Sequence, residues 1–332
     1  MMSIGLFDEG SDLRLPNLAI LKLATYWRGQ EAQVVHNSTR SRFDLACVSI
    51  VFRRNALRML ALTDAVRADG WWVGGTGSDI FERLPAEVEA CRPDYSLAPA
   101  FPHSLGFTVR GCIRRCPWCL VWRAEGNDVW QEATYRDLLR PDHGAQPHVI
   151  DLANNILAWS GWEELFQELL DLRQETGLTV DLNQGFDHRL IDADVAQWLA
   201  RLPLYVARRT WAGGWRRRRA IRLALDDSSE TTSFQRAAAL LVRAGIPPRA
   251  LRVYVLEIPG QEEDGLARVR EVLAVSNGTT GTTAQPFVMP LDGYRDNGLA
   301  RWVNRGLYRH VPWEKYARRR ALPLSLFPRC AS

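Results

Sequence analysis

The chain has 332 residues, of which 46% are hydrophobic and 24% charged, so it can bury a full core in one large or two ordinary domains and is no disordered or low-complexity chain. Its net charge of +4 is modest and rests almost wholly on arginine, with Lys22 and Lys315 the only lysines, which reads as coding bias and not as function. No window approaches the roughly eighteen apolar residues of a membrane span, and the N-terminus MMSIGLFDEGSDLRLP lacks the basic, apolar and small-residue zones of a signal peptide. A cytoplasmic protein with no membrane partner is expected.

Residues 3 to 75 alternate short apolar runs with helical patterns. SIGLF, AQVV, LACVSIVF and WWVGG read as strands, and LAILKLATYWR and ALRMLALTDAVRA as helices, an order that predicts a parallel sheet covered by helices. Gly74, Gly75 and Gly77 follow the last strand, where glycine permits a tight turn or a close ligand approach. The proline-rich stretch over 82–104 has little periodicity and reads as a connection between domains.

From residue 105 the alternation resumes. GFTVR, PHVIDL, LTVDLN, AIRLALD, LRVYVLEI and AQPFVM are predicted strands, with WEELFQELLDLRQ, DADVAQWLARL, SFQRAAALLVRAG and LARVREVLAV as helices between them. Asp192 and Ser233 sit where N-caps belong, and Gly177 and Gly245 where helices terminate. The predicted organisation is a domain over 1–81, a connection over 82–104, an open or partial barrel over 105–290 and a helical extension over 291–332. In the extension, DNGLARWVNRGLYRH reads as a helix and VPWEKYARRR as a basic aromatic tail. The run Arg216 to Arg219, with Trp211 and Trp215 before it, mixes guanidinium groups with aromatics in a way that suits phosphate and bases, but a solvated helix is the preferred reading.

Three of the six cysteines lie within eight residues, Gly111-Cys112-Ile-Arg-Arg-Cys116-Pro-Trp-Cys119, where mutual disulfides would be strained and ligation of a metal or cluster is the better explanation. They follow a predicted strand, so their thiolates project from a loop at its carboxyl end. A 4Fe-4S cluster takes four thiolates, and this run supplies three, leaving one iron open to a chelating small molecule. Arg110, Arg114, Arg115 and Arg123 surround the loop, where positive charge favours a reduced cluster. The same cysteines with His143 or His148 also satisfy a tetrahedral zinc site, and a zinc-stapled nucleic-acid-binding protein is the competing reading. Cys47, Cys91 and Cys330 are scattered, so no auxiliary cluster is expected.

The spacing C-x3-C-x2-C, with Trp118 as the aromatic before the last cysteine, resembles the signature of the radical S-adenosylmethionine superfamily. The segments DLANNIL, DLNQGFDHRLI, LALDD, YVLEIPGQEED and PFVMP look like those of an uncharacterised radical branch found in phages, archaea and bacteria. This resemblance implies an α/β fold with a partial (β/α)6 barrel, and reductive cleavage of S-adenosylmethionine to methionine and a 5'-deoxyadenosyl radical. It further implies that Trp118, Asn154, Asn155, Asn183, Gln184, Asp226, Glu257 and Ile258 contact S-adenosylmethionine. It also implies an electron donor such as flavodoxin or ferredoxin. The substrate, whether small molecule, peptide or nucleic acid, is left open.

The stretch from Leu15 to Arg28 resembles the first helix of the Rossmann-like, cobalamin-binding domain that precedes many radical barrels. That resemblance would make Gly74, Gly75 and Gly77 a site for cobalamin or substrate and the chemistry a methyl transfer to carbon. The Asp-x-His-x-x-Gly motif of one cobalamin-binding class is missing, since His36, the one histidine of this half, stands in VVHNSTR.

Overall fold

A computed structural model describes residues 1–9, 15–210, 214–276, 282–291 and 298–321. The chain divides into two compact units, Met1–Gln184 with Leu202–Arg218, and Gly185–Arg201 with Arg219–Ser332, and each is taken by itself. It is an α/β protein with several parallel sheets. Among the described residues no helix is long and apolar enough to cross a membrane.

The first unit begins with strand β1 (Ser3–Phe7), helix α1 (Leu18–Gly29), β2 (Gln33–His36), β3 (Arg42–Ser49), α2 (Ala56–Ala65) and β4 (Arg67–Gly74). The four strands pair in parallel in the order β2-β1-β3-β4. Asn17 starts α1 by accepting a hydrogen bond from the Ile20 amide at 3.2 Å, which satisfies one of the amides a helix start leaves open. Apolar alternation along the strands splits the core into two layers. Ile4, Leu6 and Cys47 pack with Ile20, Leu23 and Ala24 of α1 on one face, while Phe7, Phe43, Ala46 and Val48 pack with Met59 of α2 on the other.

After the short helix α3 (Ala86–Glu89), the predicted strand GFTVR is broken in two. Strand β5 (Ser104–Gly106) lies parallel to β8 (His148–Asp151), and β6 (Val109–Arg110) forms an antiparallel ribbon with β7 (Trp130–Gln131). The break falls at Phe107 and Thr108, because the Thr108 amide and hydroxyl turn to the Asp151 carboxylate. Helices α4 (Val121–Ala124) and α5 (Tyr135–Leu138) are single turns in this segment. The long amphipathic α6 (Trp162–Thr176) buries Leu165, Phe166, Leu169 and Leu172 and ends on Gly177 in the left-handed conformation, φ +78°, as its sequence predicts. Strand β9 (Thr179–Leu182) joins β8 in parallel, and an isolated parallel bridge from Val180 to Leu204 leads into β10 (Tyr205–Arg209).

The run Arg216 to Arg219 is not a helix. It is strand β11 (Trp215–Arg219), paired with β10, and it is only partly solvated, since Arg217 donates to the Gln146 carbonyl. Period-two pairing overrides the helix-compatible run of arginines. Trp211 lies outside the described residues.

The second unit holds α7 (Ala193–Arg201), β12 (Ile221–Ala224), α8 (Thr231–Arg243), β13 (Leu251–Glu257), α9 (Glu262–Ala274), β14 (Gln285–Pro290), α10 (Gly298–Asn304) and α11 (Trp313–Ala321). Strands β12, β13 and β14 form a parallel sheet in that order. Asp192 caps α7 through a 2.8 Å bond from the Val195 amide, as expected. Ser233 does not cap α8, which begins at Thr231; its hydroxyl instead donates back to the Glu230 carbonyl at 2.8 Å and meets His188 at 3.0 Å. The basic aromatic tail is helical as α11 up to residue 321, and Cys330 and the segment 322–332 lie outside the described residues.

Candidate cluster site

Cys112, Cys116 and Cys119 are all half-buried and reduced, in the irregular loop between β6 and α4. The loop starts on Gly111, whose φ of +80° is left-handed, and a Cβ there would stand 1.9 Å from the Asp128 carbonyl oxygen, so only glycine fits. Glu125 holds this turn. One carboxylate oxygen accepts the Gly111 amide at 2.9 Å and the Asn154 side-chain amide, and the other accepts Arg110 at 3.0 Å.

Side chains close the loop from within. Asn127 donates to the Cys112 carbonyl at 3.0 Å and accepts Arg115 at 2.8 Å, Trp122 donates its indole N–H to the Cys116 carbonyl at 2.9 Å, and Arg123 donates to the Pro117 carbonyl at 2.9 Å. A backbone bond from the Cys119 amide to the Cys116 carbonyl forms the turn that carries the half-buried Trp118. Arg110 is not a free positive charge beside the cysteines, because its guanidinium meets Glu125, Glu89 and Glu132 at 3.0, 3.3 and 3.8 Å.

Two donors reach the Cys112 sulfur, the Arg114 amide at 3.4 Å and the Asn155 side-chain amide at 3.5 Å, as N–H groups do when they stabilise a thiolate. Asn155 is buried and sits 43 positions along the chain from Cys112, so the β8 end and the cysteine loop are brought together. Asn154 approaches the same loop but spends its side-chain amide on Glu125. Asn183 and the exposed Gln184 follow β9, and the Asn183 amide donates to the Asp151 carbonyl at 2.9 Å. Asp226, Glu257 and Ile258 belong to the second unit. There Asp226 accepts the Leu256 amide at 2.9 Å, and the buried Glu257 accepts the Leu299 amide at 3.2 Å.

Asp151, at the end of β8, is a supporting residue that the sequence reading missed. It is fully buried and accepts four hydrogen bonds, from the Thr108 amide at 3.0 Å, the Thr108 hydroxyl at 2.6 Å, the Tyr135 hydroxyl at 3.2 Å and the Ala153 amide at 2.9 Å. Burial raises its pKa above the ordinary carboxylate value, and these bonds pull the other way. The signal for it was a carboxylate closing the apolar run PHVID. Glu125 had no comparable signal, since nothing in its local pattern marks it as the partner of Gly111.

The histidines weighed as zinc ligands point elsewhere. His143 is half-buried and bonds the Gly144 carbonyl at 3.1 Å, while the buried His148 meets the Thr179 hydroxyl at 2.8 Å and packs edge-on to His103. Among the described residues no three His, Cys, Asp or Glu side chains converge on one ion. Of the other cysteines, Cys47 is a core residue whose thiol burial pushes up to about 12, against a hydrogen bond with Trp27, and Cys91 donates to the Glu87 carbonyl.

The glycines after β4 are filled by the protein itself. A Cβ on Gly75 would come within 2.5 Å of the Ile50 carbonyl oxygen and one on Gly77 within 2.6 Å of the Phe52 carbonyl carbon. Bonds from the Ile50 amide to the Gly74 carbonyl and from the Gly77 amide to the Ile50 carbonyl zip the two loops together. His36, nearby in sequence to β2's end, is engaged by Asp8 at 3.3 Å and Asn37 at 3.1 Å. The chain matches no protein-family model and no curated protein.

Proposed function

We propose that the protein is a radical S-adenosylmethionine enzyme whose 4Fe-4S cluster is held by Cys112, Cys116 and Cys119. The observation that carries this reading is the cysteine loop, with three half-buried thiols and two N–H donors aimed at the Cys112 sulfur. The bound cluster would supply, from its open iron, the electron that cleaves the sulfonium of S-adenosylmethionine. In this reading the Arg114 amide and Asn155 stabilise thiolate charge, Glu125 and Asn127 hold the loop's shape, and Arg110, neutralised by three carboxylates, serves structure. Asn154, tied to Glu125, positions the loop, and a role for Trp118 rests on the resemblance. Contact of Asn183, Gln184, Asp226, Glu257 and Ile258 with S-adenosylmethionine rests on the resemblance alone.

The partial (β/α)6 barrel and the Rossmann-like N-terminal sheet belong to the same proposal, supported by the repeated parallel strand and helix units. Gly75 and Gly77 offer no space to cobalamin, because backbone of residues 50 to 53 lies against them, so a cobalamin-dependent methyl transfer rests on the resemblance alone. The test is anaerobic reconstitution with iron and sulfide, expected to load about four irons per chain. With a reductant and S-adenosylmethionine, 5'-deoxyadenosine should form, and Cys112→Ala should abolish both. An intact, reducible cluster that yields no 5'-deoxyadenosine would overturn the reading, as would one equivalent of zinc with no iron.

A further inference from the structure

The first unit carries a second feature that the cysteine chemistry does not use, a cleft of about 480 Å³ away from the cysteine loop, at the amino ends of β9 and β10. Arg173 from the last turn of α6 and Arg217 from β11 line it, with Gln146, Gln174 and Tyr205 on the walls and no Asp or Glu among the lining residues. Its volume lies within the range of small-molecule sites.

The two guanidinium groups stand apart from many other arginines of this protein. Arg110, Arg136, Arg140, Arg189, Arg268 and Arg270 each meet a carboxylate. Arg173 and Arg217 have none among the described residues; Arg173 donates to the Gly177 carbonyl at 2.7 Å and Arg217 to the Gln146 carbonyl. Each guanidinium has five N–H donors, so most of their hydrogen-bonding capacity remains. Burial and the charge of Arg173 both lower the pKa of Arg217, the mark of two cations facing one cavity without an anion.

Strand geometry also explains why the arginine run does not make a broad polyanion surface. Alternation places Arg217 on the cleft side, half-buried, while Arg216 and Arg218 are exposed on the other face. Trp215, which stacking of a base would need, is already packed edge-on against His103, with ring centroids 4.4 Å apart, and against Phe101 at 6.5 Å.

We propose that this cleft binds the phosphoryl group of a small phosphomonoester between Arg173 and Arg217. A dianion of this kind matches two planar guanidinium groups, which bind phosphate oxygens in pairs of parallel hydrogen bonds. Gln174, Gln146 and Tyr205 offer neutral partners for the rest of the ligand. This site stands independently of the cluster and of the radical chemistry.

The test is calorimetric titration of the full-length chain in phosphate-free buffer with inorganic phosphate, ribose 5-phosphate, adenosine monophosphate, adenosine and a short single-stranded DNA. The phosphomonoesters should bind and adenosine should not; inorganic phosphate with the same arginine dependence would identify the phosphoryl group as the recognised part. Arg217→Ala and Arg173→Ala should each weaken binding about tenfold or more, the effect of losing a charge-assisted contact, and Arg218→Ala on the opposite face should change nothing. If Arg217→Ala lowers the folded fraction by circular dichroism, the exposed Arg173→Ala decides alone. No phosphate probe binding at about 1 mM, equal binding of adenosine, or affinity indifferent to both arginines would overturn the proposal. Binding of the DNA alone, sensitive to Arg218, would overturn it in favour of a nucleic-acid surface.

Discussion

The loop after β4 and the loop after β6 both turn on a left-handed glycine, Gly75 at φ +96° and Gly111 at φ +80°, yet they are anchored by opposite means. After β4 the neighbour is backbone throughout. Residues 50 to 53 fill the space above Gly75 and Gly77, and the Thr76 hydroxyl donates to the Val51 carbonyl at 2.9 Å. After β6 the Asp128 backbone also comes close to Gly111, but side chains do the rest of the anchoring: Glu125, Asn127 and Trp122 bond the backbone of the loop that carries the three cysteines. A glycine at a strand end thus signals close approach of backbone in both loops, and what differs is whether backbone alone or side chains also hold the turn.

Substitution of each glycine should separate the two cases. Gly111→Ala carries the largest expected effect, since it combines a left-handed φ with a carbonyl oxygen at 1.9 Å; a loss of about 3 kcal/mol or more in denaturant unfolding, and of most reconstituted iron, is expected. Gly77→Ala should cost about 2 kcal/mol, because its obstacle is the immovable backbone of Phe52, while the iron loaded per folded chain stays the same. Iron loss in both variants alike would erase the distinction.

Glu125→Gln sharpens it further. The amide keeps the volume but loses the charge that Arg110 meets and keeps only one of the two acceptor oxygens, so either Arg110 or the Gly111 amide with Asn154 faces an NH2 group, and about 1 to 2 kcal/mol and faster release of iron to a chelator are expected. The smallest effect concerns acid and lies at the other end of the sheet. His103, buried just before β5, is held down to about 4 from the ordinary 6.5 by burial, with the charges of Arg217 and Arg140 adding to it. The unfolded chain takes up this proton first, so stability is complete above about pH 6.5 and falls as pH drops toward 4. His103→Phe should flatten that decline in thermal melts without touching iron content; an unchanged slope would assign the acid response to other groups.

Much of this was legible in the chain because apolar periodicity speaks for single elements. The strands SIGLF and PHVID and the helix WEELFQELLDLRQET appear where their periods of two and 3.6 put them, with Gly177 and Asp192 at the predicted ends. What failed were features set by a distant partner. GFTVR is apolar enough for one strand, but Asp151 pulls Thr108 out of the sheet. The arginines 216 to 219 have no apolar face to announce a strand, and only pairing with β10 makes them one. At the candidate site the cysteines were visible by spacing, and Asp151 left only the faint trace of a carboxylate closing an apolar strand, whereas Glu125 acts across the turn and leaves no local trace.

Asp151 bears on whether the cysteine loop could be moved. It touches no cysteine, but it gathers Thr108 from 43 residues away and Tyr135 from 16, and these set the corner from which β6 departs. A peptide spanning only the loop would carry the ligands and leave behind the carboxylate that shapes their approach. The smallest transplantable version of this corner therefore runs from β5 through the Asn155 turn, and a graft cut shorter would carry the three cysteines without the frame that shapes their loop.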